Sequence, residues 1–200
     1  MRRVLQLREY DLAAGDQVAL PDALRVVYVD RGEVHLDGDP VAQGAAMHRR
    51  GAATLSATQG ALALLFELVG EADADATLAT EVDVPGDRLM RCDRVDFPAD
   101  GVAFLHTHQG PGIRRLVLGA FRVEMGGCSL EIPLGGAWFE GGPAPVYAEV
   151  VGAEPAAFVR VMVLPAELIG QPSIQYVNDE DREKPKSQRY TVLVDEPIEA

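Results

Sequence analysis

His106 and His108 are the residues of this chain whose type and spacing point most directly to chemistry. They sit in the apolar run Phe104-Leu105-His106-Thr107-His108, one residue apart, and the two-residue period of a strand sends both imidazoles to one face. Neutral imidazole ligates zinc, iron, manganese or nickel, and catalytic sites commonly use three protein ligands with at least one open position. A third donor is therefore required. Glu140 and Gln109 are the candidates, and a carboxylate is the better ligand for a hard divalent ion, which puts Glu140 first. Strand parity sends Gln109 away from His108, although the Gly110-Pro111-Gly112 turn relaxes that constraint.

Two strands must position the pair. Gly110-Pro111-Gly112 breaks the histidine strand, and residues 113–118 read as a second short strand ending at Gly119. Gly101, four residues, His106-x-His108, a turn and a closing Gly119 together resemble the first motif of the cupin superfamily. The resemblance implies two barrel strands and a metal-binding Glu near position 112, where this chain has Gly112. Gly127, five residues and Pro133-Leu134-Gly135 resemble the opening of the second motif, which implies a third histidine at the position of Val146. Two of the usual four ligands are present.

Counting back from Gly119 with period two, Gly112, Arg114, Leu116 and Leu118 share a face, so Arg114 is expected to point into the barrel. Burying an unpaired guanidinium is costly. Its partner is either Glu140 or the carboxylate or phosphate of a ligand, which the planar fork recognises in a bidentate way. Trp138, the only tryptophan, either lines the barrel mouth against a ligand or packs in the core.

The composition supports an all-β chain: 48% hydrophobic residues with 20 Gly and 13 Pro, in short apolar runs bounded by turn residues. A net charge of -13 with no basic stripe opposes binding to a phosphate backbone, so no nucleic-acid partner is expected. No apolar run approaches the roughly 20 residues of a spanning helix, and Met1-Arg2-Arg3 does not lead into a signal-peptide core. A cytoplasmic protein without a membrane partner is the expectation. Cys92 and Cys128 are too few for a disulfide framework or a zinc knuckle and read as reduced, buried small side chains.

The expected fold is all-β, with two cupin-like jelly-roll barrels in one chain. Residues 1–72 would form a degenerate N-terminal barrel, with a hairpin over 25–38 turning at Asp30-Arg31-Gly32 and again at Asp37-Gly38. Residues 61–69 form a continuous apolar run, read as a buried strand. Residues 27–34 parallel 116–123, an internal repeat that makes the protein a bicupin. The first copy lacks His-x-His: the matching region near Val18 and Leu20 is apolar, and His35 and His48 have no ligand-spaced neighbours. Residues 73–87 are acidic and read as a solvated connector, and 88–167 as the C-terminal barrel with the metal pocket. Residues 168–200 form an extension with two strand-like runs around a charged loop or helical turn at 178–186. Its strands need a sheet, and are expected to pack by crossing to the other barrel or onto a second subunit.

These features imply one divalent metal held by His106, His108 and Glu140. Arg114, Gln109 and Trp138 would contact a small anionic ligand. A metal-dependent enzyme of dioxygenase or isomerase type is the first reading. A non-catalytic small-molecule binding or sensing bicupin is the second, and a structural bicupin with an empty, metal-free pocket is the third. A Glu140 within reach of the histidines favours the first, and a Glu140 facing solvent favours the second. Barrels of this kind pair through edge strands, so a homodimer is expected.

Overall fold

The computed structural model describes residues 2–198, and the chain divides between Pro85 and Gly86 into two compact units. All described strand pairs are antiparallel.

In the first unit, β1 (Arg2–Leu12), β2 (Gln17–Arg31), β3 (Glu33–Leu36), β4 (Asp39–Ala42), β5 (Ala46–Ser56), β6 (Ala61–Val69) and β7 (Leu78–Asp83) make one sheet, ordered β4-β3-β5-β2-β6-β1-β7. The apolar run at 61–69 is the interior strand β6, flanked by β1 and β2 and buried along nearly all its length. A strand buried on both faces has no reason to alternate. Val27, Leu36, Leu55 and Leu65 lie in its core.

The hairpin at 25–38 forms only at its second turn. Asp37 and Gly38, with φ 54° and 90°, close the β3–β4 hairpin, where left-handed residues match the strand twist. The arms around Asp30-Arg31-Gly32 do not pair with each other: β2 pairs with β5 and β6, and β3 with β4 and β5. The long apolar β6 wins β2, because it buries more surface than the short β3 can.

The acidic stretch is not an open connector either. Leu78–Asp83 pairs with β1, and Arg8 holds Asp73 at 3.0 Å and Asp75 at 3.3 Å. Basic residues of β1 are what the acidic residues answer to.

The second unit comprises β8 (Arg88–Phe97), β9 (Val102–His108), β10 (Gly112–Leu118), β11 (Phe121–Met125), β12 (Cys128–Ile132), β13 (Ala137–Glu140), β14 (Val146–Val150), β15 (Ala156–Pro165), β16 (Ile174–Tyr176), a short helix α1 (Asp179–Glu183) and β17 (Arg189–Ile198). They form two open sheets, β13-β10-β15-β8-β17 and β12-β11-β14-β9-β16. One core joins both sheets, with Val95, Leu116, Trp138 and Phe158 from the first and Phe121, Val123 and Val146 from the second. Phe97 and Phe121 meet across it at 4.9 Å. Cys92 is buried in β8, but Cys128 is exposed, because it opens β12 directly after the Gly126-Gly127 turn.

The C-terminal strands join the sheets of their own unit rather than crossing to the other barrel. β16 pairs with β9 and β17 with β8, so each extends one sheet of the histidine-bearing unit. β9 and β8 offer them ladder edges within their own unit.

Candidate metal centre

His106 and His108 end β9, and their side chains face the interior, both about 95% buried. His106 Nδ1 lies 2.7 Å from the Phe104 carbonyl, which can only accept, so Nδ1 carries the proton and Nε2 keeps its lone pair. That lone pair is 3.2 Å from His108 Nε2, which in turn is 3.3 Å from Glu140 Oε2. The three donor atoms lie within 4.8 Å of one another, and all three residues are buried.

Glu140 reaches the cluster from β13. The register pairs Gly112 with Glu140 and Arg114 with Trp138, so Glu140 stands directly across the ladder from Gly112. The carboxylate missing at 112 is thus delivered by the neighbouring strand. Gly112 could not carry one: a Cβ there would lie 2.7 Å from Met162 Cγ and from the Val161 carbonyl. Val146, at the third-histidine position, is buried opposite His106.

Two residues fix Glu140. Trp138 packs in the core against Phe121 and Phe158 and donates from Nε1 to Glu140 Oε1 at 2.8 Å. Arg114 Nη2 makes an ionic contact with Oε2 at 2.8 Å, while its Nη1 donates to the Gly112 carbonyl at 2.6 Å. Of the two partners open to Arg114 in the sequence, the geometry supplies Glu140, and its guanidinium is 1% exposed. Gln109 lies in the turn after β9, tied by its backbone N–H to the Ser173 carbonyl, and takes no part in the cluster's hydrogen bonds or ion pairs.

The charges are set by burial and by these neighbours. Burial pushes both imidazoles below the ordinary histidine value, His108 to about 3, with Arg160 and Arg114 acting in the same direction. Both rings are therefore neutral near pH 7. Burial would raise the Glu140 carboxyl, but Arg114, the adjacent His108 and the hydrogen bond from Trp138 outweigh it and hold the group well below the usual carboxylate range. Burial lowers Arg114 to about 10, against the pull of Glu140, so it stays charged.

The donor set fits a divalent ion. Bonds of 2.0–2.2 Å place adjacent ligand atoms about 3.0–3.5 Å apart, the spacing of both close contacts here. One His108 proton cannot satisfy the His106 lone pair and the Glu140 oxygen together, whereas a cation can. Glu140 Oε2 accepts no aligned hydrogen bond among the described residues, and His108 Nδ1 is likewise buried without one. In that last respect the site departs from the usual second hydrogen bond on a ligating histidine.

Asp93 and Arg160 belong beside this site, and no motif marks them. Arg160 pairs with Arg114 across β10–β15 and with Asp93 across β8–β15, donating to Asp93 Oδ2 from Nε at 3.0 Å and Nη2 at 2.8 Å. One signal was present: Arg160 interrupts an otherwise apolar strand at the parity of Phe158 and Met162, the pattern that singled out Arg114.

No family model and no curated protein matches this chain. Solved structures do. The Lactobacillus farciminis oxalate decarboxylase formate complex is 12% identical, with a TM-score of 0.68 over 92% of this chain and 82% of that one. A cupin 2 conserved barrel domain protein from Leptotrichia buccalis is 12% identical, TM-score 0.51, over 82% and 87%. AerE from Microcystis aeruginosa is 7% identical, TM-score 0.62, over 79% and 87%. The chain is all-β and has the fold of these cupin-fold proteins. No helix among the described residues is long and apolar enough to cross a membrane.

Proposed function

We propose that the second unit is a cupin-type metal module and that the protein is a metal-dependent enzyme, dioxygenase- or isomerase-like, acting on a small anionic molecule. His106, His108 and Glu140 hold one divalent ion of iron, manganese, nickel or zinc. The observation that carries this reading is the convergence of three buried donor atoms at ligand spacing. When bound, such an ion supplies a Lewis acid or, as iron, an oxygen-activating centre. The Phe104 carbonyl fixes the His106 tautomer, Trp138 aims Glu140, and Arg114 keeps Glu140 ionised. Arg114 therefore positions a ligand of the metal rather than gripping substrate. Resemblance in fold to oxalate decarboxylases adds a small-carboxylate precedent.

The first unit is read as a metal-free partner barrel, which makes the chain a bicupin. Support comes from a shared glycine contact: a Cβ on Gly32 would lie 2.5 Å from the Gly60 carbonyl, and one on Gly119 2.5 Å from the Pro155 carbonyl. A homodimer in the cytoplasm completes the reading, with the outer edge of β17 as a strand free to pair. Light scattering on the eluted protein gives the assembly directly, and a single-chain mass would remove the dimer.

A non-catalytic binding module is the second reading, favoured by the Arg114–Glu140 pair, which already neutralises the carboxylate. Elemental analysis of tag-free protein purified without chelator separates the two. About one equivalent of a single transition metal is expected. No metal after incubation with each ion in turn would leave the binding module.

A further inference from the structure

The second unit also contains a cavity of 540 Å³ whose walls come largely from the C-terminal segment. Strand parity explains the wall. Tyr176 pairs with His106 and Ile174 with His108, while Tyr190 pairs with Val95 and Val192 with Asp93, so all four side chains point the way their inward-facing partners do. The Tyr176 ring lies 6.5 Å from the His106 ring, which sets the cavity beside the metal centre.

Its polar groups are unequal. Arg91 uses four of its five N–H donors: Asp195 takes its Nε and Nη2 at 2.9 Å each, and the Leu168 and Gln171 carbonyls take one further N–H each. Arg160 gives only Nε and Nη2, both to the same oxygen of Asp93, and its Nη1 edge makes no hydrogen bond among the described residues. The second oxygen, Asp93 Oδ1, is buried without a hydrogen-bond partner, on a residue 2% exposed. One ion pair, whose guanidinium lies 5.3 Å from the Tyr190 ring centroid, thus leaves both a donor edge and an acceptor oxygen unbonded. Lys186, 4.1 Å from the Tyr176 ring centroid, adds a further positive charge. Three cations against two carboxylates leave this lining positive in a chain of net charge -13. A buried acceptor left unpaired is costly, and a ligand that donates to it recovers that cost.

We infer that this cavity binds a small monocarboxylate with an apolar body and a hydroxyl adjacent to the carboxylate. The carboxylate meets the Nη1 edge of Arg160, the hydroxyl donates to Asp93 Oδ1, and the apolar body lies among Tyr176, Tyr190, Ile174 and Val192. The inference names the ligand of the small-molecule site proposed above, and it does not require the metal, because every contact invoked is with side chains of the chain itself. The C-terminal segment is then part of the binding site rather than an appendage.

Calorimetry on chelator-dialysed protein tests it with three probes of one shape: mandelate, phenylacetate, which lacks the hydroxyl, and mandelamide, which lacks the charge. Mandelate is expected to bind, phenylacetate about tenfold more weakly for the loss of one charge-assisted hydrogen bond, and mandelamide more weakly still. Tyr190→Ala, on the partly exposed edge strand, should weaken mandelate while leaving the fold intact, and Arg160→Lys should remove the preference over mandelamide. Equal affinity for all three, or no binding of any, overturns the assignment. Metal content is measured on the same preparation before dialysis. Discrimination among the probes with no metal sinks the metal reading alone, and metal without discrimination sinks this one alone.

Discussion

β6 and β15 are each the third strand in from one edge of their sheets, and they bury charge to opposite effect. In the first unit, Gln6, Glu67 and Arg25 align across β1, β6 and β2. In the second, Asp93, Arg160 and Arg114 align across β8, β15 and β10. Arg25 spends its donors on Glu67 Oε1 at 3.0 Å, the Gly51 carbonyl at 2.6 Å and the Pro21 carbonyl. Glu67 Oε2 accepts from Gln6, whose own Oε1 accepts the Asp73 N–H. Both Glu67 oxygens are thereby satisfied, and the atom this network leaves unpaired is a donor at its rim, Arg8 Nε. The second-unit network leaves Asp93 Oδ1, Glu140 Oε2 and His108 Nδ1 without hydrogen bonds, converging on a cluster and a cavity. Buried polarity that satisfies itself is scaffold, and buried polarity that does not is where a ligand can be stabilised.

The largest test of that contrast removes one partner from each network. Glu67→Ala strands a fully buried guanidinium and should cost about 3–5 kcal/mol by urea unfolding. His108→Leu, in metal-free protein, replaces a group with an unpartnered nitrogen and should cost under about 1 kcal/mol while abolishing metal uptake. Comparable losses in the two variants would erase the distinction.

Next in size is the feature the units share. Gly32 and Gly119 have φ of 77° and 73°, and each meets a backbone carbonyl at 2.5 Å from where a Cβ would sit. Alanine at either place should cost about 2–4 kcal/mol, from left-handed strain plus overpacking. Unequal costs would argue that the two strand ends are only superficially alike. Smaller again is Trp138→Phe, which keeps the ring and deletes the donor to Glu140. About 2 kcal/mol of stability should go, together with a 10–100-fold loss in metal affinity read by competition with a chelator. Unchanged affinity would make Trp138 a core aromatic and nothing more.

Much of the second unit was legible because period two is a strict rule. His106 and His108 on one face, Arg114 inward and Glu140 as third donor follow from parity and ligand chemistry. The role of Arg114 was left open because a partner on another strand is set by register, and register is not written in either strand alone. The proposed repeat meets the same limit. Residues 27–34 were aligned with 116–123, which puts Val27 on Leu116, whereas superposing the two glycine contacts puts Val27 on Arg114. A slip of two residues preserves every inward and outward position, so the apolar pattern could not reveal it. The failed hairpin at 30–32 and the acidic strand β7 have one cause as well: both depended on competition among distant strands for β2 and β1. Arg160 carries a signal of its own in the apolar strand, but its pairing with Asp93 spans 67 residues and is not written in either strand.

Acid should expose the difference between the networks with the smallest effect. Burial lowers His108 from 6.5 in the unfolded chain to about 3 in the folded one. Between those values the unfolded chain binds a proton that the folded chain refuses, so stability falls as pH falls through that window and is undiminished above it. His106 is lowered with the same sign. Glu140, held below its ordinary value by Arg114, adds a further loss only below about pH 4.5, as the unfolded carboxyl begins to protonate while the folded one stays ionised. From His108 alone the loss is about 1 kcal/mol between pH 6.5 and 5.5. His108→Leu should remove that share of the slope, in chelator-dialysed protein so that metal release does not contribute. Glu67→Gln leaves His108 in place, so the fall between pH 6.5 and 5.5 should survive in that less stable variant. A wild-type curve parallel to that of His108→Leu would mean that folded His108 keeps the proton affinity of an imidazole in water, and that the centre is wetter than its burial implies.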